Sequence, residues 1–155
     1  MRWLDGSDID VKQFTGETLC DKIGMEMYKY DDENRLQCDD FIQNAMFIID
    51  FDSVINMEGF PTPYYGYFSE EYYAKIIRAF QAIGDVKDAE ILIKAGEEDL
   101  HFQQLRDQKK GTEEWDCIYD EFSEKLDALE QGLYLNTDFD MWSLLYTYLD
   151  EHIKK

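Results

Sequence analysis

Apolar residues recur along this chain at helical spacing, and capping residues, glycines and prolines divide the recurrences into segments. Leu19, Ile23 and Met27 stand four apart behind Thr15, a good N-cap, and predict a first helix over residues 16–30. The polar run 31–35, DDENR, reads as a break. Phe41, Ala45, Ile48, Phe51 and Ile55 follow at steps of 4, 3, 3 and 4, which predicts a helix from about Leu36 to Met57 that Gly59 ends. Both prolines, Pro61 and Pro63, fall in the next stretch, among Phe60, Tyr64, Tyr65, Tyr67 and Phe68. This is the longest irregular connection, and its aromatics are expected to wrap the core where two helices part, the alternative being that Tyr64 to Phe68 line a small-molecule pocket. Ser69 then caps a helix that carries Tyr73, Ile76, Ile77 and Phe80 and stops at Gly84, with Glu70 and Glu71 at the positive end of its dipole. A shorter helix is expected over 85–95. The very polar 97–110 is expected to be part helix, then loop, with Lys109, Lys110 and Gly111 as the break. Thr112 caps the next segment, which runs to Gly132, and an amphipathic helix from about Asp138 closes the chain. No strand pattern and no internal repeat is found. The expectation is an all-α chain with six or seven helices in one compact domain over 1–155, of which 1–35 is an N-terminal helix and break and 36–153 the helical core.

The segment GTEEWDCIYDEFSEKLDALEQG, residues 111–132, raises a question that periodicity alone does not. Trp115, Ile118, Phe122, Leu126 and Leu129 form one apolar row at steps of 3, 4, 4 and 3. Glu113, Asp116, Asp120, Glu124 and Asp127 repeat the same steps two residues earlier, about 200° away on a helix. One side is core and the other a file of carboxylates about 21 Å long. Each like-charge i,i+4 pair costs the helix about 0.2–0.5 kcal/mol. Interleaved lysines would have been cheaper.

The imbalance extends over the whole chain. It has 35 acidic and 15 basic residues, a formal net charge of −20. From residue 36 to 74 there is no Lys or Arg, against seven acids that include Asp39, Asp40, Asp50 and Asp52. Such a charge repels nucleic acid and anionic lipid surfaces, so no direct nucleic-acid or membrane partner is expected. With 45% hydrophobic and 15% aromatic residues the chain can still build a core. No segment approaches a signal peptide or membrane helix, and three dispersed cysteines, Cys20, Cys38 and Cys117, suit a reduced, cytoplasmic setting.

Three stretches carry a resemblance. FDSVINMEGFPTPYYGYF (51–68), AFQAIGDVKDAEILIKA (79–95) and FSEKLDALEQGLYLNTDFDMWSLLYTYLDEHI (122–153) resemble a bacterial family of small acidic helical domains of unknown function, one member of which acts as a DNA mimic. The matching positions include Val54, Asn56, Gly59, Phe60, Ala82, Ile83, Gly84, Ala89, Phe122, Leu126, Asp127, Tyr134, Leu145 and Tyr148. The family's usual Asn-Gly-Gly-Phe turn is here Asn56-Met57-Glu58-Gly59-Phe60, and Thr62-Pro63 replaces its polar continuation. The resemblance implies an all-helical domain without enzymatic activity and, as in the characterised member, binding to a DNA-binding protein through an acidic face. Other members are expected to serve different partners, such as a toxin to be neutralised.

Chemical motifs are sparse. Glu98-Asp99-Leu100-His101 gives a single E-x-x-H, where a di-iron bundle needs two and further glutamates. His152 has Leu149 three residues before it. The D-x-D pairs at Asp50/Asp52 and Asp138/Asp140 diverge on a helix, and Asp138 and Asp140 read as cap and first-turn acids. Cys117 beside Asp116 reads as a semi-buried, unreactive thiol. No metal or cofactor site is expected. The leading reading is a non-enzymatic binding protein, monomer or dimer, that offers Glu113, Asp116, Asp120, Glu124 and Asp127, with Asp39, Asp40, Asp50 and Asp52, to a basic DNA-binding protein. The alternatives are an immunity or toxin-neutralising partner with an interface centred on Tyr64 and Tyr67, an enzyme or metal protein, and a charged face that merely keeps the protein soluble.

Overall fold

The computed structural model describes residues 1–35, 37–64 and 66–155, with the backbone alone for Asp32 and Asn34. Leu36, the expected start of the second helix, and Tyr65 of the aromatic run lie outside the described residues. The described residues form seven α-helices: α1 (Gly16–Glu26), the single turn α2 (Asp32–Arg35), α3 (Asp40–Glu58), α4 (Glu70–Ala82), α5 (Val86–Lys109), α6 (Trp115–Gln131) and α7 (Met141–Ile153). Short 3-10 turns follow α1 and precede α7. Among the described residues no strand forms; one isolated bridge joins Arg2 and Asp8. The all-α expectation stands.

Local signals set most of the boundaries. Thr15 accepts from Thr18 N–H while the Thr18 hydroxyl accepts from Thr15 N–H, a reciprocal cap. Ser69 accepts from Tyr72 N–H at the start of α4. Gly59, at φ +87°, takes the chain out of α3 in a conformation that side chains resist. Gly16 serves a different purpose. A Cβ there would collide with the Tyr146 carbonyl, and the Gly16 N–H donates to Asp150 at 2.6 Å. Its missing side chain is what lets the first turn of α1 lie against α7.

The helices pack in succession. α6 lies on α5, α5 on α4 and α4 on α3; α3 then meets α1 and α7, which also pack on each other. α3 is the central helix, with ten of its 19 residues buried, among them Phe41, Ala45, Ile48 and Phe51. Trp3, Leu4 and Val11 join the same buried cluster as Leu149 and Phe102, so the N-terminal residues belong to the one domain.

Several boundaries differ from the sequence reading. The first helix, expected over 16–30, ends at Glu26 and passes into a 3-10 turn, and the second starts at Asp40 rather than near residue 36. The run 31–35 is not only a break, since it contains the turn α2. α5 is one helix of 24 residues, where a short helix and a partly looped tail were expected. Its inner face continues through Ala95, Asp99 and Phe102, and the ring of Tyr73 covers Gly96, so neither the glycine nor the polar residues break it. Thr112 does not cap α6: its hydroxyl donates to the Lys109 carbonyl and closes α5, and α6 starts at Trp115. α7 begins at Met141, with Asp140 rather than Asp138 as its cap.

A pair of buried carboxyls sits where α4 turns into α5. Asp85 and Asp88 are both fully buried. Asp85 caps α5 by accepting from Asp88 N–H, and Asp88 accepts from Tyr134 N–H at 3.0 Å. One oxygen of each has no hydrogen-bond partner among the described residues. Burial first, then the adjoining Asp85 carboxyl, pushes Asp88 up to about 8 from 3.8, against the smaller pull of Tyr134 N–H and Lys87. The folded protein therefore binds more protons here than the unfolded chain between about pH 4 and 8, and this pair's contribution to stability falls as pH rises through that window. Asp88→Asn keeps an acceptor for Tyr134 and removes the charge. In denaturant titrations it should stabilise the protein at pH 9 by on the order of 2 kcal/mol relative to wild type, an advantage that shrinks towards pH 4.

Candidate interaction surface

The geometry of α6 follows from its place at the outer end of the succession. Phe122 and Leu126 are buried, and Trp115, Ile118 and Leu129 pack partly covered against the core. Phe102 of α5 stacks on Phe122 with centroids 4.2 Å apart and on Trp115 at 5.2 Å. These rings fix α6 along one side and leave the other to solvent.

Asp116, Asp120, Glu124 and Asp127 are all exposed on that outer side. They span about 17 Å of helix axis at 1.5 Å per residue. One strand of a duplex advances about 3.4 Å per phosphate, so four carboxylates stand where about six phosphates would. Glu113, expected in the same file, is exposed but lies in the turn before α6. The charges are not cancelled. Among the described residues no ion pair reaches Asp116, Asp120, Glu124 or Asp127. Lys125, the one base on the helix, is held on its flank by Glu121 at 3.3 Å and by Glu98 of α5 at 3.6 Å. Lys109 reaches Glu114 instead. Partial burial, then the charge of Asp127, holds Glu130 above the usual carboxylate range.

The second acidic group fares differently. Asp39 and Asp40 start α3: Asp40 is exposed, while Asp39 is half-buried and accepts from Arg2 N–H. Asp50 is buried and does not belong to the surface. It accepts from the hydroxyls of Tyr28 and Tyr72 and pairs with Arg35 at 3.3 Å. Asp52 points the other way, half-buried, and accepts from the Tyr134 hydroxyl. Burial, then Asp52, raises that phenol well above its ordinary range, so Tyr134 stays a donor. α3 packs on α1, α4 and α7, whereas α6 packs on α5, so the two acidic groups stand on separate parts of the fold.

Other candidates resolve simply. His101 is exposed, and His152 stacks on Phe41 with its Nδ1 against the Tyr148 carbonyl. No cluster of three or more metal-ligating side chains forms among the described residues. Cys117 is exposed rather than semi-buried, because it falls between the apolar and acidic rows; Cys20 and Cys38 are buried, and burial pushes both thiols up to about 12. Phe60 and Phe68 of the aromatic run are buried as expected, but Tyr64 and Tyr67 are exposed. No helix among the described residues is long and apolar enough to cross a membrane.

Comparison with protein families places this arrangement. The profile of the DMP19-like protein family matches residues 37–152. The chain belongs to the DMP19-like family. This is the family to which the sequence motifs pointed. Its match spans α3 to α7 and so includes both the α6 row and the Asp85–Asp88 pair, while α1 and α2 lie outside it. Neither a curated protein nor a solved structure is significantly similar to the chain.

The stacked rings, rather than ion pairs, hold α6 in place. Phe122→Ala should cost on the order of 3 kcal/mol in denaturant titrations. Asp120→Asn, which relieves the i,i+4 repulsion with Asp116 and Glu124, should leave stability unchanged or raise it by about 0.5 kcal/mol.

Proposed function

We propose that this protein is a non-enzymatic binding protein that presents the α6 carboxylates to a basic DNA-binding protein in place of DNA phosphates. The observation that carries the reading is the row Asp116, Asp120, Glu124 and Asp127: exposed, regularly spaced, and paired with no cation among the described residues. A face that served solubility alone would gain nothing from excluding lysine, since mixed charges solvate equally well and repel less. Asp40 and Glu113 add to the field, whereas Asp50 is spent inside. Membership of the DMP19-like family supports the same reading, because a DNA mimic is known among the proteins the chain resembles. The cytoplasm, where such a regulator works, is the setting this reading requires.

The exposed Tyr64 and Tyr67 favour a second reading, a toxin-neutralising partner with an aromatic-centred interface. Salt separates the two. A contact made by the carboxylate row weakens steeply as salt rises, whereas an aromatic contact survives. In capture from cell lysate, the first reading expects a DNA-binding protein retained at low salt and released at moderate salt. The triple variant Asp116→Lys, Asp120→Lys, Glu124→Lys should lose it even at low salt. Retention of every captured protein by that variant would refute the role of α6.

A further inference from the structure

Away from α6, a cleft opens between the C-terminal half of α3, the 3-10 turn after α1 and the loop leading into α4. It consists of two adjoining hollows of about 260 and 250 Å³ that share Tyr28, Asp50 and Tyr67 in their walls. Three large side chains there face solvent: Tyr28 is 54% exposed, Tyr67 67% and Met57 81%. Such exposure concentrated in one place marks a contact surface. The walls are nevertheless braced. The Tyr28 hydroxyl donates to Asp50 at 2.8 Å, and the Tyr67 ring stands edge-on to buried Phe68, which stacks on Tyr72.

The charge in the cleft selects its occupant. Arg35 is the basic residue in the walls, and it is buried and paired with Asp50. Its charge is spent within the protein. Glu58 lines the second hollow, and no ion pair reaches it among the described residues. The sequence has no Lys or Arg from residue 36 to 74 to balance it. An anion entering here would meet a carboxylate and no open cation. The Tyr28 ring already carries the Arg35 guanidinium, 5.6 Å from its centroid, so an incoming cation would meet the exposed Tyr67 ring and that carboxylate, the setting in which cation–π attraction operates.

We propose that the second hollow of this cleft is a socket for a single arginine or lysine side chain of a basic protein partner, with the cation against Tyr67 and facing Glu58. This rests on the reading of a cationic protein partner and adds to it a fixed point. The α6 row attracts from a distance and tolerates sliding; a socket holds one residue in one place.

The test needs no partner. The full chain, labelled at its methionine methyls and tyrosine rings, is titrated with N-acetyl-arginine amide and, separately, with its neutral isostere N-acetyl-citrulline amide, and followed by NMR. Millimolar arginine probe should move the Met57 and Tyr67 resonances, and the citrulline probe should bind at least about five-fold more weakly. Tyr67→Ala and Glu58→Gln, both at exposed positions, should each weaken the arginine probe by about five-fold. The double variant Asp116→Asn, Asp120→Asn should leave it unchanged. Silence at Met57 and Tyr67, an equal response to citrulline, or a response lost with the α6 variant instead would overturn the proposal. Since the socket is read without a partner and the row by capture, either can fail while the other stands.

Discussion

The stack of Phe102, Trp115 and Phe122 is the contact on which the acidic surface depends. A helix with unrelieved carboxylates along one side is disfavoured by its own charge, by a few tenths of a kcal/mol for each neighbouring pair. What keeps it folded is the opposite side. Phe122 lies face to face with Phe102 at 4.2 Å, and Leu126 is buried below it. Burying such side chains contributes about 1.5–3 kcal/mol each, several times the repulsion. The balance explains how lysine can be left out of the outer row, and why Lys125, on the flank, is bound by Glu98 and Glu121 instead of neutralising it.

Not every acid of this acidic protein serves its surface. Asp50, Asp85, Asp88 and Asp99 are buried, and each organises backbone or side chains around it. Asp99 accepts from Tyr64 N–H and ties the proline-containing loop to α5; Asp88 accepts from Tyr134 N–H and ties the segment before α7 to the same helix. Asp50 gathers Arg35, Tyr28 and Tyr72 at the base of the cleft. The long connections of the fold are thus pinned by carboxylates turned inward, while the carboxylates of α6 face out.

The helical class, the caps at Thr15 and Ser69, and the two opposed rows of α6 could be read from spacing alone, because amphipathic periodicity is strong where one side of a helix is wet. Reading failed where a polar residue sits in the core. Asp99 interrupts the apolar series of α5 together with Gly96, so one helix looked like a helix and a loop. Asp50 was counted among surface acids for the same reason. A signal was present: residues 45–49 and 51 are apolar on every side of the helix, a pattern that belongs to a helix buried all round and leaves no outward side for Asp50. The cleft was harder to foresee, since Tyr28 and Tyr67 lie 39 residues apart and meet only through the packing of α1 and α4 around α3.

Mimicry makes a stricter demand than binding: the partner must be unable to hold this protein and DNA together. Fluorescence anisotropy of a labelled duplex bound by the captured DNA-binding protein measures that directly when this protein is added. The account predicts complete release of the duplex. A ternary complex, with this protein bound and the duplex still in place, would contradict it.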